Sequence, residues 1–224
     1  MVEPAVTEMH KIDNQPLRLV VADMLRTAII NGQIKPGTPI VETTLAEQLN
    51  VSRAPVREAI QTLEADGLIE NVPYKGKRVK PLTAKSVEEV YSLREQFEAF
   101  AIRRIVETDA DVSLLHVHVA AMFAAAETRD FTALMSADEA FHRTLIERAN
   151  HDLMLTLWDN LFLRIRQIMA LRNSANRDLR AVARNHPPIV AALERKDMIL
   201  AISLISDHTR SASQINLAEM GLEP

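Results

Sequence analysis

The sequence predicts a mainly α-helical chain in two parts, an N-terminal winged helix-turn-helix with a small β-wing and a C-terminal all-α antiparallel helical bundle. Three observations carry that expectation. Two short helix signals lie either side of a tight turn between Thr44 and Asp66, a basic hairpin follows them, and no proline occurs between Pro81 and Pro187. A segment of that length without a breaker, rich in Ala, Leu, Ile, Glu and Arg, should be nearly all helix. Four of the five glycines lie at or before Gly76 and the fifth is Gly221, so composition shifts near Leu82. The expected divisions are a flexible arm over 1–14, the helix-turn-helix unit over 15–82 and the helical domain over 83–224.

Leu45-Ala46-Glu47-Gln48-Leu49 reads as a short amphipathic helix, with Thr44 and Glu47 placed for a capping box. Only Asn50 and Val51 separate it from Ser52, a good N-cap, and Pro55 falls in the first turn of the next helix, where a missing N–H costs little. Arg53 and Arg57 are four apart and project from one face near that helix start. A basic second helix after a tight turn suits entry into a DNA major groove, N-terminus first. Gly67 is expected as a left-handed cap, after which residues 68–72 alternate like a strand, 73–77 turn, and Arg78-Val79-Lys80 return as its partner. Lys75, Lys77, Arg78 and Lys80 have no acid among them, and Gly76 allows close backbone approach, so this wing suits phosphates or the minor groove. The alternative is a small surface domain with a solvated basic turn.

The helical half divides into five or six helices, at about 83–108, 110–129, 131–149, 152–172, one starting at Pro187, and 197–218. Asn185-His186-Pro187-Pro188 is the internal break. Cysteine is absent, which excludes disulfides and thiolate metal sites. No apolar run reaches the roughly 18 residues of a membrane helix, and the N-terminus lacks a signal-peptide pattern, so a cytoplasmic location is expected. The net charge of −4 does not argue against DNA, because the positive groups gather at the second helix and wing.

Polar residues interrupt apolar stripes in the second half. Phe131, Leu134, Met135, Asp138, Phe141, His142, Leu145, Ile146 and Ala149 share one helix face, which puts Asp138 and His142 inside, one turn apart. Leu204, Ile205, His208, Ala212 and Ile215 make a similar stripe, and His186 precedes Pro187 at a helix N-terminus, where the dipole favours the neutral, metal-binding imidazole. Spacing alone leaves two readings open, a metal site or an Asp–His core pair. His10, His116, His118 and His151 read as structural. Val87, Val90, Tyr91, Arg94, Phe97, Glu98, Ala101 and Ile105 share another face, so Arg94 either grips a carboxylate in two-pronged fashion or pairs with Glu98 at i,i+4.

Residues from about Leu17 to Leu82 resemble the winged-helix domain of the GntR superfamily of bacterial transcription regulators. The matching motifs are Ile34-Lys35-Pro36-Gly37, Leu45-Ala46-Glu47-Gln48-Leu49, Val51-Ser52-Arg53-Ala54-Pro55-Val56-Arg57-Glu58-Ala59-Ile60 and Leu63-Glu64-Ala65-Asp66-Gly67-Leu68-Ile69. The resemblance implies DNA contacts at Ser52, Arg53, Pro55, Arg57 and the wing around Lys75, Gly76 and Lys77. Thr43 stands where many members carry a DNA-contacting arginine, and Ala54 where threonine is usual.

The second half is similar to the FadR-type ligand-binding (FCD) domain through Leu93-Arg94-Glu95-Gln96-Phe97-Glu98 and Asp138-Glu139-Ala140-Phe141-His142. That resemblance implies a divalent metal, zinc, nickel or manganese, on Asp138, His142, His186 and His208. The open coordination positions such a metal would have invite a small carboxylate effector, with Arg94, on its inward face, the candidate to help hold it. Asn185 replaces a common glutamate, and Pro187-Pro188 is unusual after the histidine. The implied function is a non-enzymatic regulator acting as a homodimer on pseudo-palindromic double-stranded DNA, with no membrane partner. Two alternatives stay open: a metal-free regulator of a fatty acyl or other apolar ligand, and a metal-dependent hydrolase fused to a DNA reader.

Overall fold

A computed structural model describes residues 16–174 and 178–214. The expected arm over 1–14, the end of the last expected helix, with Ile215, and Gly221 lie outside the described residues.

The first unit opens with α1 (Leu17–Ile30), which turns Val21, Leu25 and Ile29 inward. Then come β1 (Pro39–Ile40), α2 (Glu42–Leu49), α3 (Arg53–Ala65), β2 (Ile69–Val72) and β3 (Gly76–Val79). The three strands form one antiparallel sheet in the order β1-β3-β2, with Ile69 opposite Val79, Val72 opposite Gly76, and Pro39 opposite Arg78. A core of Val21, Leu25, Ile29, Val56, Ile60, Leu63, Leu68 and Val79 joins α1, α3 and the sheet. Strand β1 was not expected from sequence; two residues give no alternation to read. Its pairing also moves the start of α2. The chain passes from Ile40 through Val41, the N-cap, directly into helix at Glu42, so Thr44 is already helical and the Thr44–Glu47 capping box does not form. Ser52 does occupy the N-cap of α3, with extended backbone, but its side chain makes no capping bond. The first N–H groups of α3 are therefore not capped by the hydroxyl.

Gly67 ends α3 as expected. Its φ is +72°, its N–H donates to the Glu64 carbonyl at 3.0 Å, and the Leu68 N–H donates to the Leu63 carbonyl at 2.9 Å. These are the two bonds of a Schellman cap. A Cβ on Gly67 would meet nothing within 4 Å, so only backbone strain opposes a larger residue. Gly67→Ala is expected to lower stability by about 1–2 kcal/mol in urea unfolding.

The second unit contains α4 (Ala84–Thr108), α5 (Ser113–Thr128), α6 (Phe131–Arg148), α7 (Asp152–Ser174), α8 (Leu179–Arg184), α9 (Pro187–Glu194) and α10 (Met198–Ser213). Thr83 and Ser86 start α4 with a reciprocal capping box, and Asp130, Asp178 and Asp197 cap α6, α8 and α10 through their side chains. Helix α8 was not separated in the sequence reading. Pro187 and Pro188 bring no N–H to a continuing helix, so α8 stops at Arg184 and α9 begins afresh. One core (Ile102, Leu115, Met122, Leu134, Phe141, Leu145, Ile189, Leu193, Ile205) joins α4, α5, α6, α9 and α10. A second (Tyr91, Ala101, Ile146, Trp158, Phe162, Ile165) joins α4, α6 and α7. No helix among the described residues is long and apolar enough to cross a membrane.

Candidate functional site

Three parts of the bundle bring their polar residues to one point. Helix α6 presents Asp138 and His142 a turn apart, the α8–α9 joint presents His186, and α10 presents His208. One ligand atom from each lies within 4.8 Å of all the others. Nε2 of His186 is 3.2 Å from the Asp138 carboxylate, Nε2 of His142 is 3.9 Å from it, and the two Nε2 atoms are 3.5 Å apart. The Phe141 ring packs edge-on against both imidazoles, with centroids 5.3 and 4.7 Å away. Asp138, His142 and His186 are buried.

Outer contacts bear on which nitrogen is bare in two of the three rings, His186 and His142. Nδ1 of His186 lies 3.0 Å from the Val182 carbonyl, which can only accept, so that nitrogen carries the proton. Nδ1 of His142 lies 2.8 Å from the Glu98 carboxylate. Burial alone would raise the Glu98 carboxyl, but Arg94, followed by His142, holds it down at about 2. It is therefore ionised, and its charge 2.8 Å away favours the proton on that nitrogen, although the contact lacks hydrogen-bond geometry. Both Nε2 lone pairs then face inward. Burial pushes the imidazoles of His142 and His208 down, and the Asp138 carboxyl stays well below the usual range because, against burial, a proton added to the cluster goes to an imidazole, His186 beside it above all, before the carboxylate. Neutral imidazoles around an ionised carboxylate are the donor forms a divalent cation requires.

Glu98 is a member of the site that the sequence reading did not assign. Its two oxygens meet Arg94 Nε at 2.9 Å, His142 Nδ1 at 2.8 Å and the Thr209 hydroxyl at 3.2 Å. Its place one turn beyond Arg94 on the same stripe was the available signal. Glu98→Gln keeps the shape and removes the charge, and it is expected to weaken zinc affinity by about 10–100-fold in a competition titration.

A cavity of about 230 Å³ opens beside the cluster, lined by Arg94, Asp138, His208, Asn185, Ser211 and Met169 among others. Arg94 makes the expected i,i+4 pair with Glu98, and it also lines this cavity. It is 1% exposed, yet its outer NH2 nitrogen has no hydrogen-bond partner among the described residues. A buried donor left bare costs free energy that an incoming carboxylate would recover.

In the first unit Thr43, Ser52, Arg53 and Arg57 are exposed and Pro55 is half-buried. Glu42 reaches Arg57 Nε at 3.1 Å and Arg53 at 3.8 Å, joining the start of α2 to the first turns of α3. At the wing, Lys75 and Gly76 are exposed, and Gly76 has φ +84°. Lys77 is drawn back into an ion pair with Glu64 on α3, and Arg78 pairs with Glu70 at 2.7 Å. The wing is therefore less open in charge than its own sequence implied. Outside the cluster, His116 meets Glu194 at 2.7 Å, His118 meets Thr144 at 2.9 Å, and His151 accepts the Met154 N–H at 3.2 Å. His10 lies outside the described residues.

Comparison with known proteins finds a separate family model for each unit. Residues 17–79 match the model of bacterial regulatory proteins of the gntR family, and residues 89–211 match the FCD domain. The chain is 32% identical over 195 residues, 84% of it and 83% of the relative, to a probable D-xylose utilization operon transcriptional repressor of Paenarthrobacter nicotinovorans. It is 30% identical over 190 residues, 81% of it and 77% of the relative, to the gluconate operon transcriptional repressor of Bacillus subtilis (strain 168). A crystal structure of a GntR-type transcriptional regulator described from Rhodococcus sp. RHA1 superposes with a TM-score of 0.75 at 26% identity, covering 91% of this chain and 96% of that one. With a GntR helix-turn-helix followed by an FCD domain, the chain belongs to the GntR family of bacterial transcriptional regulators, in its FadR-like branch.

Proposed function

We propose that the chain is a cytoplasmic repressor whose operator binding is controlled by a small carboxylate held at a divalent metal in the helical domain. The division is 15–82 for DNA and 83–224 for metal, effector and dimerisation. The observation that carries this reading is the bare, buried Arg94 nitrogen beside four convergent metal-ligand candidates. Asp138, His142, His186 and His208 would hold zinc, nickel or manganese, which supplies positive charge and open coordination positions. The buried charges are Arg94 against Glu98 and Asp138, so a dication leaves the site net positive and suited to an organic anion. The charged and polar side chains in the cavity wall, Arg94, Asp138, Asn185 and His208, favour such a ligand over a fatty acyl chain.

Two copies of the chain would each place α3 in a major groove of a pseudo-palindromic operator, with Ser52, Arg53, Pro55, Arg57, Thr43, Lys75, Gly76 and Lys77 at the DNA. Effector binding repacks the bundle and changes the spacing of the two readers. A hundredfold change in occupancy needs only about 2.7 kcal/mol of differential binding. The relative named for a gluconate operon makes gluconate a first compound to screen. The test uses a duplex selected from a random pool, the zinc-loaded chain and a panel of small carboxylates including gluconate. Wild type is expected to change its duplex affinity with one of them, and Arg94→Met to lose at least about tenfold of that response with its ligand-free DNA affinity unchanged. An Arg94→Met chain that responds like wild type would refute the role given to Arg94.

A further inference from the structure

Arg164 on α7 is buried, and no carboxylate pairs with it among the described residues. One of its terminal nitrogens donates to Gln167 Oε1 at 3.2 Å and, at the long distance of 3.4 Å, to the carbonyl of Gly67. Gly67 is the left-handed residue that closes α3. A cation from the bundle thus sits at the end of the helix whose other end is the DNA-contact candidate, where the partial charge of the helix terminus is negative. The neighbouring Leu163 packs into the core of the first unit. Beside this contact the two units are poorly filled. A cleft of about 530 Å³ lies between the end of α1 and helices α6 and α7, lined by Ile30, Asn31, Phe131, Met135 and Phe162 among others.

The same helix also touches the effector cavity. Met169, five residues beyond Arg164, lines it together with Arg94, Asp138 and His208. At 1.5 Å rise per residue, only about 8 Å of rigid helix separates the cavity wall from the Gly67 carbonyl.

We infer that Arg164 is the connector through which occupancy of the bundle cavity sets the position of α3, with α7 as the moving part. The inference rests on reading that cavity as the effector site. A buried cation whose hydrogen-bond partners are all neutral depends on close geometry, since beyond them only the charge of Glu70, outside ion-pair distance, offsets its desolvation. At 3.4 Å the Gly67 contact stands near the outer limit of a hydrogen bond, so a shift of about a few tenths of an ångström in α7 makes or breaks it. Two discrete arrangements of one helix are what transmission between sites requires.

Amide hydrogen exchange on the full chain tests this, with two cavity perturbations as probes: zinc alone, and Ala212→Leu, which fills the cavity wall beside α7 without any metal. In wild type each probe is expected to change exchange across residues 63–69 by about tenfold. In Arg164→Met neither should, although zinc uptake stays within about twofold of wild type, and Arg164→Lys should recover part of the response. A merely structural Arg164 would alter the baseline but leave the response intact, and that result overturns the inference. So does an Ala212→Leu chain whose residues 63–69 exchange as in wild type. A wild type that takes up no zinc refutes the metal reading alone, and the Ala212→Leu comparison then decides the connector.

Discussion

Wild type is expected to leave purification with a divalent metal at close to one per chain, and His142→Ala without it. The substitution removes one of three imidazoles and leaves Asp138, His186 and His208, a set short of the four donors that zinc favours. It also strips Glu98 of the ring held at 2.8 Å, so the buried Arg94–Glu98 pair faces a hole. Loss of a ligand should exceed the roughly 10–100-fold effect of losing an outer contact. Elemental mass spectrometry of both proteins, after soaking in zinc, nickel and manganese, reads the result directly. Far-UV circular dichroism beside it checks that the helices survive. Metal retained by His142→Ala at the wild-type level, or absent from a soaked wild type, would remove the site. The family assignment would stand.

The second large effect concerns DNA. Arg57→Ala should weaken binding to a selected duplex by about 1–3 kcal/mol, roughly 5–150-fold, and lower the salt slope by about one if the contact is to phosphate. Glu42 makes the prediction sharper, because its carboxylate already holds Arg57 at 3.1 Å and reaches Arg53 at 3.8 Å. Phosphates must compete with that carboxylate. Exposed ion pairs are worth about 0–1 kcal/mol, so Glu42→Gln should raise affinity for random-sequence duplex a few-fold at low salt, opposite in sign to Arg57→Ala. Fluorescence anisotropy across a salt series separates the two. An Arg57→Ala chain within twofold of wild type would take this arginine out of the interface.

Most of the fold was legible because its signals are local. Arg53, Pro55, Arg57 and Gly67 follow from residue chemistry at fixed offsets, and the long helices follow from periodicity without breakers. What escaped was set by tertiary contact. Strand β1 exists because Pro39 and Ile40 find β3, and that pairing in turn displaced the cap of α2. The cluster of Asp138, His142, His186 and His208 was named from motifs and from two apolar stripes, yet spacing alone could not separate a ligand set from core pairs. Only their convergence within 4.8 Å brings all four together. Glu98 stayed hidden because a carboxylate four residues after an arginine reads first as a helix ion pair. Its second partner, His142, lies on another helix. Lys77 shows the opposite error: a basic residue near a loop tip looked free until Glu64 was found beside it.

The four convergent side chains belong to stretches of chain far apart in sequence, on α6, at the α8–α9 joint and on α10. A bound ion there would act as a reversible cross-link that exists only while the chain is folded, so it would stabilise the folded state by mass action, where a disulfide in proteins that possess cysteine constrains the unfolded chain. This chain has no thiol with which to make that link. Starvation for metal would then both blunt the sensor and leave its C-terminal half more often open to proteases. The cell's supply of the ion would thereby set how long each molecule lasts as well as what it senses.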